Sequence, residues 1–389
     1  MPVTLDDLRR FAVARSFFPP TTLKRALDKL GFVQADPIRA PARAQDLMLR
    51  HRVKDYRAGD LERRYAKLGI EEDFFINYGF VTAEIHALMH PRSDHRVPAE
   101  LSREDLRPRG VPNSTSRLPW SAARGKRAQR LLEFVRERGV VHPQEVDQHF
   151  SHGTVKNYWG GKSNATTHLL DEMHYEGLLR VVRRKAGIRL YAARLCSAHE
   201  HGPGPADDDA RRTRLDALVD VAARIYAPLP GPSLRIVTRR LSYAVPQWQK
   251  DLTSALQRAK ERLSHAQVDG KDWYWPREED VLRAPAEETV RLLAPFDPVV
   301  WDRARFELLW GWEYRFEAYT PRLKRVRGYY ALPLLWRDRV IGWANLSVKD
   351  GELKSGFGYV ESHPPRDRAF QRELRAELDR LRVFLAVGA

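Results

Sequence analysis

The stretch from Lys126 to Arg194 constrains the fold more than any other part of the chain. RAQRLLEFVRERG sets Leu131, Leu132 and Val135 on one face of an amphipathic helix, and HPQEVDQHF gives a short second helix. Asn164 caps a third helix that turns Leu169, Leu170 and Met173 inward until Gly177 ends it. LLRVVRRKAGIRLYAA then reads as two strands around Ala186-Gly187. Three helices followed by a β-hairpin is the order of a winged helix, a helix-turn-helix variant.

At 389 residues the chain is too long for one ordinary core, so further units are expected on either side. Residues 4–100 read as mostly helical. Thr4 caps a helix carrying Leu5, Leu8 and Ala12, and Thr21 or Thr22 starts a second with Leu23, Leu27 and Leu30, closed by Gly31. Phe32-Val33-Gln34 is a short extended piece, and Pro41 to about Val53 a third helix, a winged-helix-like order without an obvious wing. Residues 107–125 read as loop and 199–209 as linker, from their Pro, Gly, Ser and Asp content. A third comparable unit follows, with helices at ARRTRLDALVDVAARIY, Leu234–Leu241 and Gln247–Leu263, and a hairpin turning at Asp269-Gly270. From about Leu292 the pattern changes to strands, FELLWGWEYRFEAYTP, GYYALPLLW, RVIGWANLSVK and ELKSGFGYV, before an amphipathic helix at Arg366–Val387. The expected fold class is therefore α+β. Tandem winged-helix units at 1–106, 107–198 and 199–288 precede a C-terminal antiparallel β-barrel-like region and terminal helix at 289–389.

The formal charge of +16, carried by 67 basic against 51 acidic residues, points to a polyanionic partner. A GC-rich genome accounts for part of the arginine content, but not for the excess of basic over acidic side chains. No apolar run is long enough to span a bilayer, no secretory h-region opens the chain, and no lipidation motif is present. Nucleic acid is thus the expected partner. Cys196 stands alone, which excludes intramolecular disulfides and multi-cysteine metal centres. With no coiled coil or evident dimer helix, a monomer is expected.

Within this basic chain, Gln34-Ala35-Asp36-Pro37 is the candidate catalytic element. Residues i and i+2 of an extended segment lie on the same side, and the residue before a proline is held extended. A carboxamide and a carboxylate can then converge on one water molecule. The same tetrapeptide also reads as a turn cap with a backbone-bonded glutamine, so its surroundings decide. Residues 180–194 hold Arg180, Arg183, Arg184, Lys185, Arg189 and Arg194 and no acidic residue, which suits phosphate contact by a wing. Arg322, Lys324, Arg325 and Arg327 form a second basic cluster, and Lys162, Asn164 and Arg43 are further candidate DNA contacts. Basic residues at 103–130 make a third region. Trp301, Trp310, Trp312, Tyr314, Tyr329, Tyr330 and Trp336 offer base stacking or, more ordinarily for aromatics in strands, a core. His86, His90 and His95 have roughly helical spacing but no carboxylate-rich partner segment, and His149/His152 and His199/His201 are no more persuasive, so no metal is expected. No nucleotide-binding fingerprint appears, and no cofactor is expected.

Four stretches together resemble the tandem winged-helix DNA glycosylases of the AlkZ/YcaQ type. They are GFVQADPIRAPARAQDLML, WGGKSNATTHLLDEMHYEGLLRV, LLAPFDPVVWDRARFELLWGWEYRFEAYTPRLKRVRGYYALPLLW and the closing helix. The family's active-site pattern is Q-x-D or Q-x-Q, and Gln34 and Asp36 match the first form. The chain departs from the family at FFINYGFVTAEIHALMH, where the family carries an aromatic and histidine-containing segment; either His86 or His90 substitutes for its histidine or the feature is absent. It departs again at Gly342-Trp343-Ala344-Asn345, where G-R-x-D is usual. The resemblance implies a metal-independent enzyme of the bacterial cytoplasm, associated with the nucleoid, acting on bulky alkylated purines and interstrand crosslinks in double-stranded DNA, with an open cleft for a base that cannot flip freely. A purine alkylated at N7 leaves as a neutral base, so the chemistry needs a carboxylate to steady the oxocarbenium-like sugar and take a proton from water. Asp36 would fill that role and Gln34 would orient the water. With no lysine between Gly31 and Val53 to form a Schiff base, a monofunctional hydrolase leaving an abasic site is expected. The alternative is a non-catalytic winged-helix DNA binder, a regulator or lesion-shielding protein.

Overall fold

The computed structural model describes residues 2–92, 122–156, 162–194, 207–285 and 287–387. Residues 107–121 of the expected loop, 199–206 of the linker, His95, and the unit boundaries at 106/107 and 198/199 lie outside the described residues.

Thr4 opens α1 (Leu5–Ser16) through a reciprocal capping box with Asp7, and Thr22 caps α2 (Leu23–Leu30). After β1 (Phe32–Gln34) come α3 (Ala44–Leu49), shorter than the helix expected over 41–53, and α4 (Asp60–Arg64). The chain then forms β2 (Ile70–Phe74), β3 (Tyr78–Thr82) and α5 (Ala83–Met89). Strand order is β1-β3-β2, all antiparallel. The β2–β3 hairpin is an element that the mostly helical, wingless reading of this region did not include. The β2–β3 hairpin was masked because Glu71, Glu72 and Asp73 are buried in its first strand, where alternation predicts apolar residues. Arginines from the next unit make that burial tolerable: Arg180 and Arg194 reach Glu71, and Arg184 reaches Glu72.

The central unit runs α6 (Ala122–Arg138), α7 (Pro143–Phe150), β4 (Thr154–Lys156), β5 (Lys162–Asn164), α8 (Ala165–Tyr175), β6 (Leu179–Lys185) and β7 (Ile188–Ala193). Its core, including Leu131, Val135, Leu170, Met173 and Tyr191, comes from its own residues. The short β4–β5 hairpin adds an element that the sequence did not signal. Next come α9 (Asp208–Tyr226), β8 (Leu229–Pro230), α10 (Gly231–Arg240), α11 (Leu252–Arg262), β9 (Ser264–Val268) and β10 (Lys271–Trp275). The β9–β10 turn places Asp269 and Gly270 at φ of 50° and 70°, as an Asp-Gly hairpin requires.

The C-terminal region is not a barrel. Strands β11 (Val290–Leu292), β12 (Leu332–Trp336), β13 (Arg339–Lys349) and β14 (Glu352–Tyr359) form an open antiparallel sheet in that order. The stretch expected to start with a strand at FELLW is instead helical, with α12 (Pro298–Trp301) and α13 (Arg303–Trp310). Asp297 and Asp302 cap these helices, and Gly311 ends the second at a φ of 76°. Helix α14 (Arg368–Leu385) packs on the sheet, burying Phe370, Leu381 and Phe384.

Apart from the central unit, the cores join segments distant in sequence. Leu23, Val33 and Leu47 pack with Leu292, Leu332 and Leu334, whereas Leu8 and Phe11 pack with Trp273 and Leu309. A fully buried ion pair fixes the same junction. Arg52 donates to Asp297 from Nη1 at 2.8 Å and Nη2 at 3.0 Å, and also to the carbonyls of Ser16 and Met48. The Asp of the P-F-D-P motif is thus a structural anchor for the segment that follows α3.

Candidate active site

Gln34 ends β1 opposite Gly79 on β3. A Cβ at 79 would lie 2.4 Å from the Val33 carbonyl oxygen and 2.9 Å from the Gln34 Cα, so the close approach of the two strands needs glycine there. The Gln34 side chain is buried, and its Oε1 accepts from Asn77 Nδ2 at 3.0 Å and from Trp301 Nε1 at 3.1 Å. Asn77 Oδ1 in turn accepts from Arg240 at 3.0 Å. Indole and guanidinium nitrogens only donate, so both carboxamide orientations are set by chemistry. The Nε2 of Gln34 has no protein hydrogen bond among the described residues, and the group offers a donor rather than an acceptor to whatever binds beside it.

Asp36 follows two residues on. Its backbone N–H donates to Gln45 Oε1 at 3.2 Å, and its Oδ1 accepts the Ile38 N–H at 2.8 Å, an Asx turn across Pro37. Its Oδ2 has no protein partner among the described residues. Burial raises the pKa of this carboxyl, with the Ile38 hydrogen bond opposing the shift. Gln45 and Asp46 hold α3 in place, Asp46 by accepting from Tyr56 Oη at 2.7 Å and the Gly59 N–H at 3.0 Å. Among the described residues, Gln34 thus keeps its amide donor and Asp36 one carboxylate oxygen without a hydrogen-bond partner. Two surface cavities, of about 550 and 230 Å³, lie away from these residues, beside Gln257, Lys260 and Tyr274, and beside Arg15, Lys29 and Glu279.

A second wall comes from residues 316–330. Buried Glu317 accepts backbone N–H groups of Val326, Arg327 and Gly328 at 2.7–3.0 Å. Burial disfavours its charge, but those three donors outweigh it and hold its pKa below the ordinary range. Asn345 donates to the Arg327 carbonyl at 2.7 Å, and a Cβ on Gly328 would sit 2.2 Å from its Oδ1. The departure at 342–345 thus braces this loop. Clamped in this way, the loop presents Leu323, Val326 and Tyr319 at 99%, 76% and 70% exposure. Sequence reading missed Leu323, because an apolar residue among cations gives no signal of exposure. Asp36 contributes to raising the pKa of both Tyr319 and Tyr330, after burial, which places its charge near this wall.

The candidate DNA contacts divide into two sets. Arg183, Lys185, Lys162, Arg322 and Lys324 are exposed, and their side chains make no ion pair or hydrogen bond among the described residues. Arg184 binds Glu72 through Nε at 2.8 Å and Nη2 at 2.6 Å; Arg189 binds Asp171 at 2.7 Å and covers the Tyr78 ring. Arg43 pairs with Glu62. Arg325 donates to the Thr320 carbonyl, Arg327 lies over Trp312 and Trp343, and Asn164 caps α8. Most of the aromatics are core: Trp312, Tyr314, Tyr330 and Trp336 are buried, Trp301 and Trp310 half-buried, and Tyr329 exposed.

His86 and His90 stack at 4.2 Å and both approach Asp73 Oδ2, at 3.3 and 2.8 Å. Together these three could hold a metal, their donor atoms lying within 4.8 Å of one another. However, Arg92 already binds Asp73 Oδ1 at 2.7 Å and Arg194 abuts His86 Nε2 at 3.3 Å, so cationic side chains balance the carboxylate. Burial, followed by the neighbouring His86 and Arg92, drives the His90 pKa well below that of a free imidazole. The cluster reads as an internal clamp joining the β2–β3 hairpin to the neighbouring units.

The family model of the AlkZ-like DNA glycosylases matches residues 27–384, and the chain belongs to that family. It is a DNA glycosylase, an enzyme that hydrolyses N-glycosyl bonds in DNA. Among solved structures, Streptomyces sahachiroi DNA glycosylase AlkZ shares the fold with a TM-score of 0.62, covering 100% of this chain and 98% of its own at 14% identity. No helix among the described residues is long and apolar enough to cross a membrane.

Proposed function

We propose that this glycosylase releases N7-alkylated purines from duplex DNA by water attack, with Asp36 and Gln34 as the catalytic pair. The observation that carries the reading is the division of labour at the site. Gln34 has its oxygen occupied and its N–H₂ free, and Asp36 keeps one carboxylate oxygen without a partner. As the C1′–N9 bond breaks, its electrons pass to the cationic purine, which departs neutral. Ionised Asp36 steadies the positive sugar and takes the proton of the attacking water. Gln34 Nε2 donates to the water or a sugar oxygen and fixes its position.

Binding would rest on the exposed cations Arg183, Lys185, Lys162, Arg322 and Lys324, which hold phosphates, while the loop bearing Leu323 enters a groove. Crosslink unhooking belongs to this reading, as do a monofunctional mechanism, a monomeric enzyme and the unit boundaries given above. The test is incubation with alkylated duplex DNA. N7-alkylguanine should appear in solution, with strand breaks only after alkaline heating. Breaks without alkali would refute the monofunctional mechanism, and binding without base release would favour a lesion-shielding protein.

A further inference from the structure

The phenol of Tyr330 stands unexplained by the fold. It lies in the G-Y-Y-A-L-P stretch leading into β12, is 3% exposed, and its hydroxyl has no hydrogen-bond partner among the described residues. A buried hydroxyl without a partner costs stability, which packing alone gives no reason to keep, since phenylalanine would fill the same space. Its ring meets Phe316 edge-on at 5.3 Å, and Phe316 in turn meets Tyr319 at 6.1 Å. Tyr330 shares a core cluster with Val33 and Ala42, against which Ala35 and Ile38, on either side of Asp36, also pack. Among the charges acting on the phenol, Asp36 contributes most. The other candidate donors nearby are already engaged: Tyr314 Oη donates to the Ala331 carbonyl at 2.7 Å, and Arg303 Nη2 to the Pro295 carbonyl at 2.8 Å.

We infer that Tyr330 is a third member of the active site, whose hydroxyl finds its partner only when DNA is bound and donates to an oxygen or nitrogen acceptor of the damaged nucleotide beside Asp36. This rests on the function proposed above. The hydroxyl stays protonated, because burial and the neighbouring carboxylate both disfavour phenolate. It therefore donates a hydrogen bond and does not remove the proton of the water. Gln34 and Tyr330 would supply two donors, and Asp36 the one acceptor.

The test is Tyr330→Phe, measured by single-turnover release of N7-methylguanine from methylated duplex DNA, by DNA affinity and by thermal melting. The chemical step should slow about 100- to 1,000-fold, as for loss of one transition-state donor. Affinity should change less than two- to three-fold, and melting should hold or rise because an unsatisfied group has gone. Wild-type release rates in Tyr330→Phe would overturn the inference while leaving the glycosylase reading intact. A large loss of melting temperature would also overturn it, by making the hydroxyl structural. Failure of the wild-type protein to release the base would instead sink the proposed function.

Discussion

The indole N–H of Trp301 donates to Gln34 Oε1 at 3.1 Å, joining residues 267 positions apart in the chain. An indole nitrogen cannot accept, so this one contact determines which end of the Gln34 carboxamide faces the site. Asn77 repeats the instruction, itself oriented by Arg240 from α10. Three segments of the chain thus converge on the orientation of one amide.

Trp301→Phe should uncouple that orientation from packing. The ring contact with Tyr226 at 4.8 Å has an aromatic counterpart in the variant, while the donor is lost. Folding stability should fall by about 1 kcal/mol, the net worth of one hydrogen bond. Base release should slow about ten-fold with little change in DNA affinity. A variant that binds and releases base at the wild-type rate would show that Gln34 needs no such bracing.

Gln34→Glu should be worse than Gln34→Ala for activity. The new carboxylate keeps Oε1 as an acceptor for Trp301 and Asn77, but puts a second anion two residues from Asp36 and removes the free donor. Like charge raises the Asp36 pKa further, so less of it is ionised at neutral pH. Rate–pH profiles would check this: the acidic limb of any residual activity should move to higher pH.

In the wild-type enzyme, the acidic limb of base release should already lie above the ordinary carboxylate range, because burial raises the Asp36 pKa. The stability consequence has the opposite sense to that of a salt-bridged carboxylate. The folded state binds the proton more tightly than the unfolded chain, so the contribution of Asp36 to stability falls as pH rises from the unfolded to the folded pKa. Above both values the ionised group is a net cost. Chemical denaturation at pH 7 should therefore find Asp36→Asn at least as stable as wild type.

Glu317→Ala should loosen the loop that carries Arg322, Leu323 and Lys324. Three backbone N–H groups lose a charged acceptor, at a cost of about 2–3 kcal/mol. DNA affinity should weaken with it. Arg322→Ala and Lys324→Ala should instead leave stability alone and lower the salt slope of binding by about one counterion each. Unchanged salt slopes in both variants would remove this loop from the DNA interface.

Much of this was readable before the fold was known, and the exceptions share a cause. Caps at Thr4, Thr22 and Asn164, and the Asp269-Gly270 turn, were legible because each depends on neighbours in sequence. The β2–β3 hairpin was not, since Glu71, Glu72 and Asp73 became strand residues only through arginines supplied from 92, 180, 184 and 194. FELLW read as a strand because its aromatic and apolar residues suit either state, and its fate was settled by the Asp302 cap and the Gly311 stop. At the site, Gln34 and Asp36 stood out through their spacing. Asn77, Arg240 and Trp301, which orient the Gln34 carboxamide, come from distant segments with no local mark of that role. Arg184 and Arg189 looked like free phosphate ligands until their carboxylate partners, Glu72 and Asp171, were placed beside them.

The central claim is that Asp36 does chemistry and not merely structure, and one comparison tests it most directly. Release of N7-alkylguanine from alkylated duplex DNA should be measured for wild type and Asp36→Asn, with DNA affinity at matched salt. The account predicts release by the wild type, at least about a thousand-fold slower release by the variant, as expected for loss of the key catalytic group, and equal binding. Comparable release by both proteins would contradict it.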